Sequence, residues 1–146
     1  MITRKNFLKA SAGTAMAYSA LSQLSAESGH AGHIPPLPEK TAEAIHSAAS
    51  CKATGSICQA HCIELLGMGD KSLYECMKTV SEMMVLCESY IIHASQKSKL
   101  TKKVESVCIA ACEACKKECL KHAAHHKQCK DCADACSECI QKIKAA

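Results

Sequence analysis

Thirteen cysteines occur in this chain of 146 residues, and most follow the surface of an α-helix. Within 108–120 four cysteines are separated by four, three and four positions, and within 129–140 four more are separated by three, four and three. Residues three or four apart share one face of a helix, so each stretch predicts a stripe of thiols. Cysteine sulfurs bind soft ions such as Cu(I) and Zn(II), build iron–sulfur clusters or join as disulfides.

Helices are the predicted elements, because the sequence after residue 38 contains no proline. Gly67 predicts the end of a first helix that starts near Glu39. Ser72, followed three positions later by Glu75, predicts a capping box for a second helix. The predicted helices are 39–66, 72–94, 101–122 and 128–144. Short turns make neighbours antiparallel, so the predicted fold is all-α, an up-down-up-down four-helix bundle with a cysteine-lined core.

The cysteines fall into four layers when consecutive helices are matched about their turns. The predicted layers are Cys62, Cys76, Cys119 and Cys129; Cys58, Cys115 and Cys132 beside Val80; Cys112 and Cys136 beside Gly55 and Met83; and Cys51, Cys87, Cys108 and Cys139. All thirteen are candidate metal ligands. Met83 is either a thioether ligand or a flexible filler opposite Gly55.

Several chemistries would suit a column of thiols. An odd count and close spacing along single helices disfavour disulfides, and iron–sulfur clusters usually draw ligands from loops. Zinc favours closed sets of four ligands, into which a continuous ladder does not divide cleanly. Cu(I) accepts two or three sulfurs that neighbouring ions can share, so the pattern favours several Cu(I) ions, on the order of one per cysteine. A zinc or general soft-metal buffer and a disulfide-stapled structural protein are the alternatives.

Residues 39–144 resemble the bacterial copper storage proteins. The resemblance rests on repeated pairs of cysteines with helical spacing. The C-x-x-x-C pairs are Cys58/Cys62, Cys108/Cys112, Cys115/Cys119 and Cys132/Cys136, and the C-x-x-C pairs are Cys112/Cys115, Cys129/Cys132 and Cys136/Cys139. The resemblance implies a homotetramer of four-helix bundles, each storing many Cu(I) ions for delivery to copper enzymes.

The N-terminal segment has the layout of an export signal. A basic start with Arg4 and Lys5 precedes a run of small, weakly apolar residues, and cleavage after Ala31 fits best. The order of residues resembles a twin-arginine signal, with Lys5 in place of the second arginine. We therefore expect a signal at 1–31, a proline-rich linker at 32–38, the bundle at 39–146, and a periplasmic protein.

Histidines near one end of the predicted bundle are candidates for metal uptake. His122, His125 and His126 lie in the turn before the fourth helix, and Met68 lies on a neighbouring turn. The alternative is a solvated polar turn, and His61 is predicted to face outward. The opposite end is predicted to be an apolar plug of Ala44, Ile91, Val104 and Ile143 beside His46 and His93.

Other classes of function find little support in the sequence. The formal charge is +4, and no basic block is long enough to predict nucleic-acid binding. No stretch is long and apolar enough to predict a membrane span. No layer combines a cysteine with a buried histidine and a carboxylate, as nucleophilic catalysis requires, so an enzyme is not predicted.

Overall fold

The computed structural model describes residues 35–146, which form four long helices. Their bounds are Glu39–Gly67 (α1), Tyr74–Ser95 (α2), Thr101–His122 (α3) and Lys127–Ala145 (α4), with a short 3-10 turn, Lys71–Leu73, before α2. The described residues contain no β-strand. Each helix is within about two residues of its predicted bounds, the usual uncertainty at helix ends.

The four helices form a closed ring around one core. Each helix packs against the next in sequence, and α4 packs against α1. The connections are short, so neighbours run antiparallel. The prediction of an up-down-up-down four-helix bundle is confirmed.

The turn between α1 and α2 corrects two details of the prediction. Gly67 is the last residue of α1, and the left-handed residue is Gly69, with φ of +96°. The side chain of Asp70, rather than that of Ser72, caps the next element, because its Oδ1 accepts a hydrogen bond of 3.0 Å from the backbone N–H of Ser72. The sequence offers two glycines that could end α1 and two side chains that could cap the next element. Helix periodicity does not distinguish between residues so close together.

The core is made mainly of sulfur. All thirteen cysteines have no exposed surface, and Val80 and Met83 are buried among them. At the end of the bundle where α1 begins, the buried side chains are instead Ala44, Ala48, Tyr90, Ala94 and Ile143. The predicted apolar plug is therefore present. Tyr90 is an addition to it, whereas Ile91 and Val104 are only partly buried against the core.

The predicted signal and residues 32–34 of the predicted linker lie outside the described residues. Residues 35–38 are not helical, and Pro38 is extended with φ of −53° and ψ of 139° immediately before α1. Among the described residues, no helix combines the length and the hydropathy that crossing a bilayer requires.

Candidate metal centre

Every helix contributes thiols to the interior. Three come from α1, two from α2 and four each from α3 and α4. Spacings of three, four and seven return to the same helix face, so each stripe turns inward once the helices pack. All thirteen cysteines are free thiols, so no disulfide joins the helices in this structure.

The sulfurs gather into groups whose members lie within 4.8 Å of one another. The groups are Cys51, Cys87, Cys112 and Cys139; Cys58, Cys62, Cys76 and Cys129; Cys58, Cys119 and Cys132; and Cys115, Cys132 and Cys136. Cys58 and Cys132 each belong to two groups. A sulfur shared in this way is placed to bridge two metal ions.

Shorter contacts link the groups into one column. Sγ of Cys58 lies 3.8 Å from Sγ of Cys129, and Sγ of Cys51 lies 3.6 Å from Sγ of Cys136. Other Sγ–Sγ distances are 3.5 Å for Cys76–Cys119, 3.7 Å for Cys115–Cys132, 3.9 Å for Cys115–Cys119, and 3.8 Å for both Cys87–Cys112 and Cys108–Cys87. Thiolates bound at about 2.3 Å to a tetrahedral metal are roughly 3.8 Å apart, so these sulfurs already have ligand spacing.

Hydrogen bonds between the thiols set which of them ionise first. Donation from Cys108 and then Cys112 lowers the pKa of Cys87 from 9.0 to about 5. Donation from Cys115 likewise lowers the pKa of Cys132. A thiol that donates such a hydrogen bond has its own pKa raised. The hydrogen bond of Cys58 to Cys119 raises the pKa of Cys58 in this way. The metal-free column is therefore a mixture of thiolates and thiols, and the thiols must lose a proton to bind metal.

The grouping differs from the predicted layers along the contact of α1 with α4. Cys58 contacts Cys129 in addition to its predicted partner Cys132, and Cys51 contacts Cys136 in addition to its predicted partner Cys139. Both pairs are offset by three residues in the same sense. No turn joins α1 to α4, so their register was inferred only through the other three pairs. Bundle helices cross at about 20°, and that tilt accumulates around the ring.

The same offset places a histidine that was predicted to face outward. His61 of α1 is partly buried, and its Nε2 lies 2.9 Å from Nδ1 of His126. The ring of His122 is 6.4 Å from that of His126. Attraction to His126 and His122 adds to the hydrogen bonds from Ser72 that lower the pKa of Asp70. The prediction for His61 is wrong, because this contact depends on the tilt between α1 and α4, which no turn connects.

Two other residues predicted at this end do not join the cluster. His125 is exposed, and Met68 is exposed over 74% of its surface. At the opposite end His46 is exposed, while Nδ1 of His93 is buried without a hydrogen-bond partner in the described part of the chain. We therefore define the histidine cluster as His61, His122 and His126.

Overlapping groups of buried thiols define a soft-metal-binding bundle, and comparison with known proteins identifies its family. The model of the copper storage protein family matches residues 37–146, and the chain belongs to this family. No match was found among curated proteins.

Solved structures of relatives show the same fold. The copper storage protein Ccsp from Streptomyces lividans, loaded with ten copper equivalents, matches with a TM-score of 0.68 and 27% identity, over 73% of this chain and 83% of that chain. A structure of the cytosolic copper storage protein from the same organism with five coppers matches with the same score and identity, over 73% and 91% of the two chains.

These relatives contradict the predicted localisation. The expectation of an exported, periplasmic protein is wrong, since the matched relative is a cytosolic copper storage protein. The expectation rested on a basic start followed by small apolar residues. That composition is not specific to export signals, and Lys5 departs from the twin-arginine pattern.

Proposed function

We propose that this protein stores several Cu(I) ions on the thirteen cysteines inside its bundle. Two four-thiol groups, linked by two groups of three thiols and by the contact of Cys51 with Cys136, support this proposal most directly. Cu(I) is a soft ion that thiolates select, and bridging sulfurs allow more ions to bind than separate four-ligand sites would. The protein binds and holds metal, and no catalytic step is assigned to it.

We infer that metal passes through the histidine cluster. His61, His122 and His126 lie at the end of the bundle where Cys62, Cys76, Cys119 and Cys129 form the last sulfurs of their helices, and His126 is three residues from Cys129. Imidazole nitrogen binds copper and is partly exposed here. It therefore offers a ligand between solvent and the buried thiols. His125 and Met68 are not included, because both are exposed outside the cluster.

Assembly into a homotetramer and delivery to a copper enzyme also belong to the proposal. Exposed apolar side chains such as Ile57 (63% exposed) and Val85 (69%) leave helix faces available for association. Sedimentation equilibrium of the copper-free protein is expected to give four times the chain mass. A monomer at all concentrations would contradict the tetramer and leave copper storage unaffected.

Anaerobic titration of the reduced protein tests the proposed storage. Thiol reagents should detect close to thirteen thiols in the unfolded, copper-free chain. Cu(I) added from a competing chelator should bind well beyond four ions per chain, on the order of one per cysteine, and should protect those thiols. Zn(II) should saturate at a few ions, because it requires closed sets of four ligands.

The zinc-buffer alternative makes the opposite prediction. Saturation with four or fewer Cu(I) ions, combined with preferential retention of Zn(II) in a mixed titration, would replace the proposal. The two four-thiol groups would then be the zinc sites.

A further inference from the structure

We infer that the thioether of Met83 is a Cu(I) ligand and forms a mixed site with the thiolates of Cys51 and Cys87. The inference rests on the proposed storage of Cu(I) and adds a ligand of a different chemical class to it. It concerns one side chain of α2 in the half of the column farther from the histidine cluster.

The sulfur of Met83 lies among thiols. Sδ is 3.4 Å from Sγ of Cys51, which donates a hydrogen bond to it, and 3.6 Å from Sγ of Cys87. The whole side chain is buried. Those two cysteines belong to the four-thiol group completed by Cys112 and Cys139. The thioether is therefore placed at the edge of a group that already has ligand spacing.

Gly55 makes room for this arrangement. A Cβ built on Gly55 would be 2.7 Å from the terminal methyl carbon of Met83 and 3.1 Å from Cγ of Met84. A glycine in the middle of a helix makes the helix less stable than an alanine would, yet Gly55 occupies such a position in the 29-residue α1. The methyl group of Met83 packs into the space above Gly55, which leaves its sulfur directed toward the thiols.

A thioether gives this site properties that thiolates lack. It is uncharged, so it adds a soft donor without adding negative charge to a buried group of four thiols. It carries no proton, so metal binding need not displace one. Thioethers favour Cu(I), whereas zinc sites are built from thiolate, imidazole and carboxylate. A leucine would fill similar volume but would offer no lone pair.

Met84 provides a matched control on the next residue. It is partly buried, and its Sδ accepts a hydrogen bond of 3.3 Å from the hydroxyl of Ser56, away from the thiol groups. Met83→Leu thus removes a thioether from inside the column of thiols, and Met84→Leu removes one from outside it. Both substitutions keep the side chain apolar and similar in volume.

The test is X-ray absorption at the selenium edge of copper-loaded protein in which selenomethionine replaces methionine. A selenium–copper scattering shell is expected in the unsubstituted protein, lost or strongly reduced in Met83→Leu, and retained in Met84→Leu. Met83→Leu should also bind about one Cu(I) fewer per chain while its copper-free form keeps the helical circular dichroism of the parent.

The outcomes separate the two proposals. If the protein binds many Cu(I) ions but shows no selenium–copper shell, or an unchanged one in Met83→Leu, Met83 is only a packing residue and copper storage stands. If the unsubstituted protein fails to bind Cu(I) beyond four ions, copper storage itself is wrong, and the inference about Met83 is overturned with it.

Discussion

Individual thiols of the column have unequal positions. Cys58 belongs to two groups, whereas its neighbour Cys62, one helical turn away, belongs to one. A thiolate that bridges two ions supports both of them, so its loss should release more metal than the loss of a terminal ligand.

We therefore expect Cys58→Ser to lower the Cu(I) capacity by about one ion more than Cys62→Ser does. Both cysteines are fully buried on the same helix, so the cost of burying a hydroxyl, about 1–3 kcal/mol, should be similar in the two copper-free variants. Capacity is measured by titration against a Cu(I) chelator. Equal losses would show that Cys58 does not bridge.

The histidine cluster predicts a kinetic effect. His126→Ala removes the ring that contacts His61, whereas His125→Ala removes an exposed ring of the same turn. We expect the first substitution to slow Cu(I) uptake several-fold at unchanged final capacity, and the second to leave the rate near that of the parent. Stopped-flow transfer from a coloured Cu(I) complex measures both rates. Equal rates in the two variants would exclude the cluster as the route of uptake.

Ionisation of the thiols predicts how copper binding depends on pH. Hydrogen bonding to Cys108 raises the pKa of Cys112, and the pKa of Cys58 is raised similarly, so both are protonated at neutral pH and release protons when metal binds. Affinity should therefore rise with pH. Cys87, with a pKa of about 5, is already ionised and releases none. A pH indicator should record fewer protons than cysteines engaged, and affinity that is independent of pH would contradict this account.

At the scale of the elements, two glycines near the turn after α1 have different roles. Gly69 has a φ of +96°, which alanine adopts at a cost of about 1–2 kcal/mol. Gly67 is helical, and apart from its chain neighbours and the nearby backbone of α1 no atom lies within 4 Å of a Cβ built there.

We expect Gly69→Ala to destabilise the copper-free protein by about 1 kcal/mol, and Gly67→Ala to leave it unchanged or stabilise it by about 0.5 kcal/mol. Chemical denaturation monitored by circular dichroism measures the free energy of unfolding of each variant. The reverse order would show that Gly67, as first predicted, is the residue that needs glycine's conformational freedom.

The bundle was predictable because each helix carries its own signal. Cysteine spacing fixes the inward face of α3 and α4, and the short turns fix antiparallel packing. The caps were not predictable to the residue, because Gly67 and Gly69, or Asp70 and Ser72, are chemically equivalent candidates two positions apart.

The candidate site was predictable in composition but not in grouping. All thirteen cysteines point inward as expected. The three pairs of helices joined by turns could be matched from the sequence, but the α1–α4 contact depends on helix tilt. That contact brings Cys51 to Cys136, Cys58 to Cys129 and His61 to His126, and these three contacts are the ones that were not predicted.

For the whole molecule, metal binding and folding should be linked. The copper-free core contains few large side chains besides Tyr90, Leu73 and Met83, and S–H···S contacts are weak hydrogen bonds. A ligand at a hundred times its dissociation constant stabilises the folded state by about 2.7 kcal/mol per site. For a domain of this size, one such site should raise the melting temperature by about 10 °C or more.

Differential scanning calorimetry of copper-free and Cu(I)-loaded protein measures this shift. Removing the metal with a Cu(I) chelator should restore the original melting temperature. An unchanged melting temperature on loading would mean that the core thiols are not the ligands.

The apolar end of the bundle has a consequence for the order of exchange. Ala44, Ala48, Tyr90, Ala94 and Ile143 fill the interior beyond the last cysteines. If copper enters and leaves only through the proposed histidine cluster, the ions bound first should be released last. Protein filled first with one stable isotope of copper and then with another should surrender the second isotope first.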